Sequence, residues 1–139
     1  MNIQQLLQIT IDRKASDLHL VVGYPPMLRL FGELMPIPGF SVLADSDLNS
    51  IPPALLTSSQ KAIFERDFEI DFAINFAEKA RFRVNFFKDR GHLAMALRLI
   101  PFMIPELQTL GLPPVLDKII ELKQGLVLVT GPTGHGKTT

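Results

Sequence analysis

The sequence predicts an α+β fold: a front domain built on an antiparallel sheet, then a linker, then the first strand and phosphate loop of a second, α/β domain. Three observations predict it. Residues 69–100 carry three runs in which apolar and polar residues alternate, the period of half-buried antiparallel strands. Pro101, Pro105, Pro113 and Pro114 then interrupt the chain. Finally, the unbroken apolar run Leu126 to Val129 enters a glycine-rich octapeptide, as a buried parallel strand entering a phosphate loop would.

The elements follow in order. Residues 3–13 place Ile3, Leu6, Leu7 and Ile11 at helical spacing and predict an amphipathic helix. Residues 17–22 and 27–31 are short β-prone runs separated by Gly23, Pro25 and Pro26. Gly32 and Glu33 turn the chain into a further strand at 34–37. Residues 45–50 begin a helix that Pro52 and Pro53 are expected to stop. Thr57 with Gln60 fits a capping box, so a helix runs from Thr57 to about Arg66.

The three alternating strands come next. Ile70, Phe72, Ile74 and Phe76 share one face of the first, and Phe82, Val84 and Phe86 one face of the second. Leu93, Met95, Leu97 and Leu99 share one face of the third. Lys88, Asp89, Arg90 and Gly91 supply turn chemistry between the last two. This organisation gives a front domain at 1–100, a linker at 101–113 and the start of a second domain at 114–139. The second domain opens with a helix at 114–123 and a strand at 125–130.

Composition narrows the function classes. Fourteen basic and fourteen acidic residues cancel, so no net charge calls for nucleic acid or an anionic membrane. The absence of cysteine removes disulfides, thiolate metal sites and a cysteine nucleophile. No basic residue precedes an apolar run at the N-terminus, and no run approaches the ~18 apolar residues of a spanning helix. The expectation is a cytoplasmic protein without direct membrane insertion. His19, His92 and His135 lack a metal-site spacing, and Ser16 and Ser41 lack the elbow of a serine hydrolase. The ten phenylalanines follow the strand alternation of a core rather than a base-stacking platform.

Gly131-Pro132-Thr133-Gly134-His135-Gly136-Lys137-Thr138 matches G-x-x-x-x-G-K-[ST] at every fixed position, and Thr139 follows. The glycines permit a tight loop whose amides face phosphate oxygens. Lys137 neutralises charge on the β- and γ-phosphates, and the Thr138 hydroxyl coordinates Mg²⁺. The motif predicts ATP and Mg²⁺ as cofactors, with residues 131–139 in contact with nucleotide. The helix that closes such a loop, the second acidic Mg²⁺ site and the water-activating group all fall beyond Thr139. These 139 residues alone are therefore not expected to hydrolyse ATP.

Taken together, several segments resemble the PilT/PilU family of type IV pilus retraction ATPases. They are Ala15-Ser16-Asp17-Leu18-His19-Leu20, Pro25-Pro26-Met27, Ala80-Arg81-Phe82-Arg83-Val84-Asn85, Arg98-Leu99-Ile100-Pro101, Leu110-Gly111-Leu112-Pro113 and the run from Gly125 through Gly134. The resemblance covers essentially the whole chain and implies its N-terminal part. It implies a PAS-like N-terminal domain, a flexible joint, and a RecA-like ATPase domain of which only the start is present. It also implies a homo-hexameric ring whose ATP hydrolysis drives pilus retraction and twitching motility. The implied partner is the inner-membrane platform protein of the pilus machine, which would bring the protein to the inner membrane peripherally. His135 departs from the family, where Ser is usual.

Arg81, Arg83 and Arg98 alternate with the apolar residues of their strands. If those strands pair through the turn at Lys88 to Gly91, all three share one sheet face. One reading is a solvated face. The other is a face laid against nucleotide or a neighbouring subunit, because arginine stabilises charge on a transferring phosphoryl group. The resemblance favours the second, since related secretion ATPases supply such arginines from this domain. The sequence leaves two alternatives to a retraction motor: a pilus-extension, type II secretion or conjugation ATPase, and a non-catalytic PAS-like binding module. The short front domain beginning near residue 1 favours the retraction type.

Overall fold

The computed structural model describes residues 2–78, 80–102 and 106–131. The chain divides into two compact units, Met1–Phe102 and Met103–Thr139.

The first unit opens with α1 (Ile3–Asp12), started by Asn2, whose side-chain oxygen accepts hydrogen bonds from the amides of Gln4 and Gln5. Its buried stripe is Ile3, Leu6, Leu7 and Thr10. Three short strands follow: β1 (Asp17–Val21), β2 (Met27–Leu30) and β3 (Glu33–Pro36). Then come α2 (Asp45–Asn49), α3 (Pro52–Leu55) and α4 (Ser58–Asp67), and three longer strands: β4 (Glu69–Phe76), β5 (Ala80–Asp89) and β6 (His92–Pro101). Both halves of the Thr57–Gln60 capping box form. The helix begun at Asp45 ends at Asn49, before Pro52 and Pro53, as expected. Not foreseen is that the two prolines then occupy the first turn of α3, where a missing amide hydrogen leaves no helical bond unmade.

The six strands form one antiparallel sheet in the order β3-β2-β1-β6-β5-β4. Two three-stranded meanders are thus joined where β1 meets β6. The β2–β3 and β5–β6 hairpins turn on Phe31-Gly32 and Arg90-Gly91, with positive φ at both residues of each pair. That geometry matches the right-handed twist of the strands and makes glycine the favoured second residue. The β5–β6 turn is tighter than the four residues the sequence suggests, because the strands extend to Asp89 and start at His92.

One face of the sheet carries the core. Leu18, Leu20, Leu28, Phe82, Val84, Phe86, Met95 and Leu97 are buried there with Leu6 and Leu7 of α1 and Leu48 of α2. Phe86 lies at its centre, edge-to-face with Phe64 at 6.2 Å and Phe72 at 5.2 Å between ring centroids.

The second unit contains a 3-10 turn (Leu107–Leu110) and α5 (Val115–Ile120). This helix is shorter than the 114–123 span that the sequence predicts. The strand expected at 125–130 does not form: those residues pair with no strand, and Leu126 and Leu128 are exposed. A strand is defined by a ladder partner, and none for this segment lies among the described residues. No helix of the described residues is long and apolar enough to cross a membrane.

Replacing Phe86 by Ala is expected to destabilise the fold by about 3–5 kcal/mol, from lost transfer energy, the cavity left behind and two lost ring contacts. Urea denaturation of this chain measures it; a loss below about 1 kcal/mol would show that Phe86 is not the centre of the core.

Candidate functional site

The face of the sheet opposite the core is polar, and its residues follow from strand parity. With Phe82, Val84 and Phe86 buried, Arg81, Arg83 and Asn85 must point to the other side. The register adds what parity alone cannot. Arg83 stands directly opposite Arg98, and Asp17 stands opposite Arg98 on one side and Arg29 on the other. A row of charges therefore crosses four strands in the order Arg29, Asp17, Arg98, Arg83, and Asp71 closes it from β4.

Two arginines facing each other across a ladder repel. Each guanidinium here is drawn outward to a carboxylate. Arg98 Nε donates to Asp17 Oδ1 at 2.9 Å. Arg83 donates from Nε at 3.0 Å to Oδ1 and from Nη2 at 2.6 Å to Oδ2 of Asp71. That fork holds the Asp71 carboxyl below its ordinary pKa and raises Arg83 further. Asp17 is buried and accepts a second hydrogen bond from Ser16 Oγ at 2.8 Å, with Arg29 Nε at 3.7 Å. Arg81 forms no side-chain hydrogen bond or ion pair among the described residues.

Between the two clamps the small side chain of Ala96 leaves an open notch of about 280 Å³, lined by Asp17, Asp71, Arg83, Asn85, Ala96 and Arg98. An anion entering it would meet two guanidinium groups. His19 lies next along the same face, paired with Ala96 and Met27. Its Nε2 is buried without a hydrogen-bond partner among the described residues. Burial pushes its pKa down, the nearby Asp17 opposes that shift, and Arg29 and Arg98 reinforce it.

The structure thus brings Arg81, Arg83 and Arg98 to one face, as strand alternation predicts. Of the phosphate-loop residues, Gly131 is described and exposed. The expectations for Pro132, Thr133, Gly134, His135, Gly136, Lys137, Thr138 and Thr139 lie outside the described residues. Sequence reasoning did not single out Arg29 or Asp71. Asp71 was within reach: it has the parity of Asn75, opposite Ile70 and Phe72, and a β4–β5 hairpin carries it near Arg83. The place of Asp17 depends on a pairing with β6 that no local pattern announces.

No protein-family model matches the chain. It is 36% identical over all 139 residues to the type IV pilus retraction ATPase PilT of Pseudomonas aeruginosa, covering 40% of that protein. It is 34% identical over the same length to the type IV pilus ATPase PilU of that organism, covering 36% of it. A crystal structure of the pilus retraction motor PilT with bound ADP superimposes with a TM-score of 0.79 at 34% identity, over 100% of this chain and 40% of that one. Over its whole length, the chain is related to the PilT/PilU family. It spans about two-fifths of these relatives, and within that span the six-stranded antiparallel domain is the fold it shares with PilT.

His19 yields a pH test. Its native pKa lies below the ordinary 6.5, so as pH falls the unfolded chain takes up the proton first. Stability is then full above about pH 6.5 and is lost as pH falls through the native value. His19→Gln should flatten that part of the profile. Urea midpoints measured from pH 7.5 to 5 test this, and parallel curves for the two proteins would refute it.

Proposed function

We propose that this chain supplies the N-terminal domain and the phosphate loop of a motor ATPase of the type IV pilus retraction type. The observation that carries the proposal is the complete phosphate-loop sequence, 131–138, in a chain related along its whole length to PilT. The division into a PAS-like domain at 1–100, a linker at 101–113 and the start of a RecA-like domain at 114–139 belongs to the same proposal.

In this reading ATP with Mg²⁺ provides the energy of the conformational cycle. Lys137 balances charge on the β- and γ-phosphates, Thr138 offers its hydroxyl to the metal, and the backbone amides from Gly131 to Thr139 cradle the phosphates. The charged sheet face suits a phosphate-bearing ligand. Arg83 and Arg98 are two cations kept side by side against their mutual repulsion, and the notch between them is open to solvent. They would stabilise charge that develops during transfer, and Arg81 would add to the same field. The ADP-bound PilT structure supports a nucleotide as the ligand class. The assembled form would be a homo-hexamer. It would act from the cytoplasmic side on an inner-membrane platform protein of the pilus machine, with no nucleic-acid partner.

In the full-length protein, Lys137→Ala should abolish ATP hydrolysis and leave the unfolding transition of the N-terminal domain in place. Unchanged turnover would sink the assignment. Arg98→Ala should lower kcat by about 10²–10³-fold, the usual loss on removing one such donor, while nucleotide Kd moves far less. Steady-state kinetics and equilibrium titration decide it, and equal losses in both would remove the transition-state role.

A further inference from the structure

The two carboxylates that restrain the facing arginines are not equivalent. Asp17 sits on β1, inside the sheet, with its side chain 10% exposed. It serves Ser16, Arg98 and, at longer range, Arg29, so withdrawing Arg98 would strip a buried carboxylate of its closest cation. It also engages Arg98 through Nε alone. The Nη groups of Arg98 form no hydrogen bond among the described residues and remain free to meet an anion. Asp71 differs on each count. It lies on the edge strand β4, its side chain is 41% exposed, and among the described residues Arg83 is the one side-chain hydrogen-bond partner of its carboxylate. It occupies Arg83 through both Nε and Nη2, the fork with which arginine binds a phosphate bidentately. An anion in the notch therefore finds Arg98 available and Arg83 already taken. An ion pair this exposed is held only weakly in water, so a multiply charged phosphate can displace it.

We propose that Asp71 is a positioning residue that competes with the phosphate-bearing ligand for Arg83, holding that arginine in a resting pose until the ligand displaces it, while Asp17 keeps Arg98 permanently aimed. This rests on reading the arginine face as the face turned to nucleotide. Arg83 then switches from an internal carboxylate to an external phosphate, and Asp71 sets how much ligand the switch requires. No covalent step is involved, only the exchange of one anion for another.

The test uses the full-length protein and a non-hydrolysable ATP analogue with Mg²⁺. Asp71→Asn keeps the shape and removes the charge. It should tighten the analogue's Kd about two- to fivefold, the range that an exposed ion pair supplies. The gain should shrink in about 0.5 M salt, where exposed charges are screened. It should vanish when Arg83→Ala is also present, and Asp71→Glu should restore the original Kd. A merely structural role for Asp71 would move the melting temperature and leave this pattern absent. Asp71→Ser serves as a second uncharged variant should Asp71→Asn fold poorly. If Arg83→Ala weakens binding but neither uncharged variant tightens it, the competition is refuted and the nucleotide-facing reading stands. If Arg83→Ala and Arg98→Ala both leave Kd and kcat unchanged, that reading fails and the competition falls with it.

Discussion

The pairing of β1 with β6 is the joint on which the rest of the domain depends. Each of the two meanders has three strands, and the buried core draws on both. Their union places Leu18 opposite Leu97 and Leu20 opposite Met95 on the buried side. All four residues are fully buried, so the joint lies in the middle of the core and not at its rim. On the other side the same register sets Asp17 against Arg98, two residues 81 positions apart in sequence. One pairing therefore completes both the packed face and the charged face, and a slip of one residue would exchange them.

That double duty explains the character of the polar face. A sheet covered by helices on one side leaves its other side to solvent or to a partner. Here it carries more than scattered charge. Positive charge is concentrated at Arg83 and Arg98, and the acids are set at the flanks. Ala94 and Ala96 on β6 keep the middle low, between the larger side chains of β1 and β5. A fully neutralised surface would have interleaved the two signs, and an unrestrained one would have let the arginines splay. The observed arrangement is intermediate: the two arginines stay together at the centre, and each is restrained by a carboxylate at its flank.

Much of this was legible in the sequence, for identifiable reasons. β4 (Glu69–Phe76) forms with the predicted face, because the alternation of Ile70, Phe72, Ile74 and Phe76 allows one strand and one parity. The helix after Thr57 starts where it should, because its capping box is a local interaction complete within four residues. The common face of Arg81, Arg83 and Arg98 follows from the same parity. What escaped was non-local or context-dependent. Pro52 and Pro53 read as a stop, yet the same ring that ends one helix suits the first turn of the next. The apolar run 125–130 has strand composition, but a strand is made by its neighbours, and none pairs with it here. The burial of Asp17 could not be read from Ala15-Ser16-Asp17, because the residues that cover and pair with it come from distant strands.

The long reach of the β1–β6 ladder also governs how the domain comes into being. The hairpins β1–β2, β2–β3, β4–β5 and β5–β6 join neighbours in sequence and can close early. The central ladder cannot, because a loop of some eighty residues must first be drawn in. Non-local pairings of this kind slow folding toward the millisecond-to-second range. During synthesis β1 emerges well before β6 and must wait, one edge unsatisfied, until β6 has followed. Its neighbour β2 and the amphipathic α1 are the first elements able to shelter Leu18 and Leu20 in that interval. The joint that gives the finished domain its unity is thus also the one that must gather the most chain before it can close.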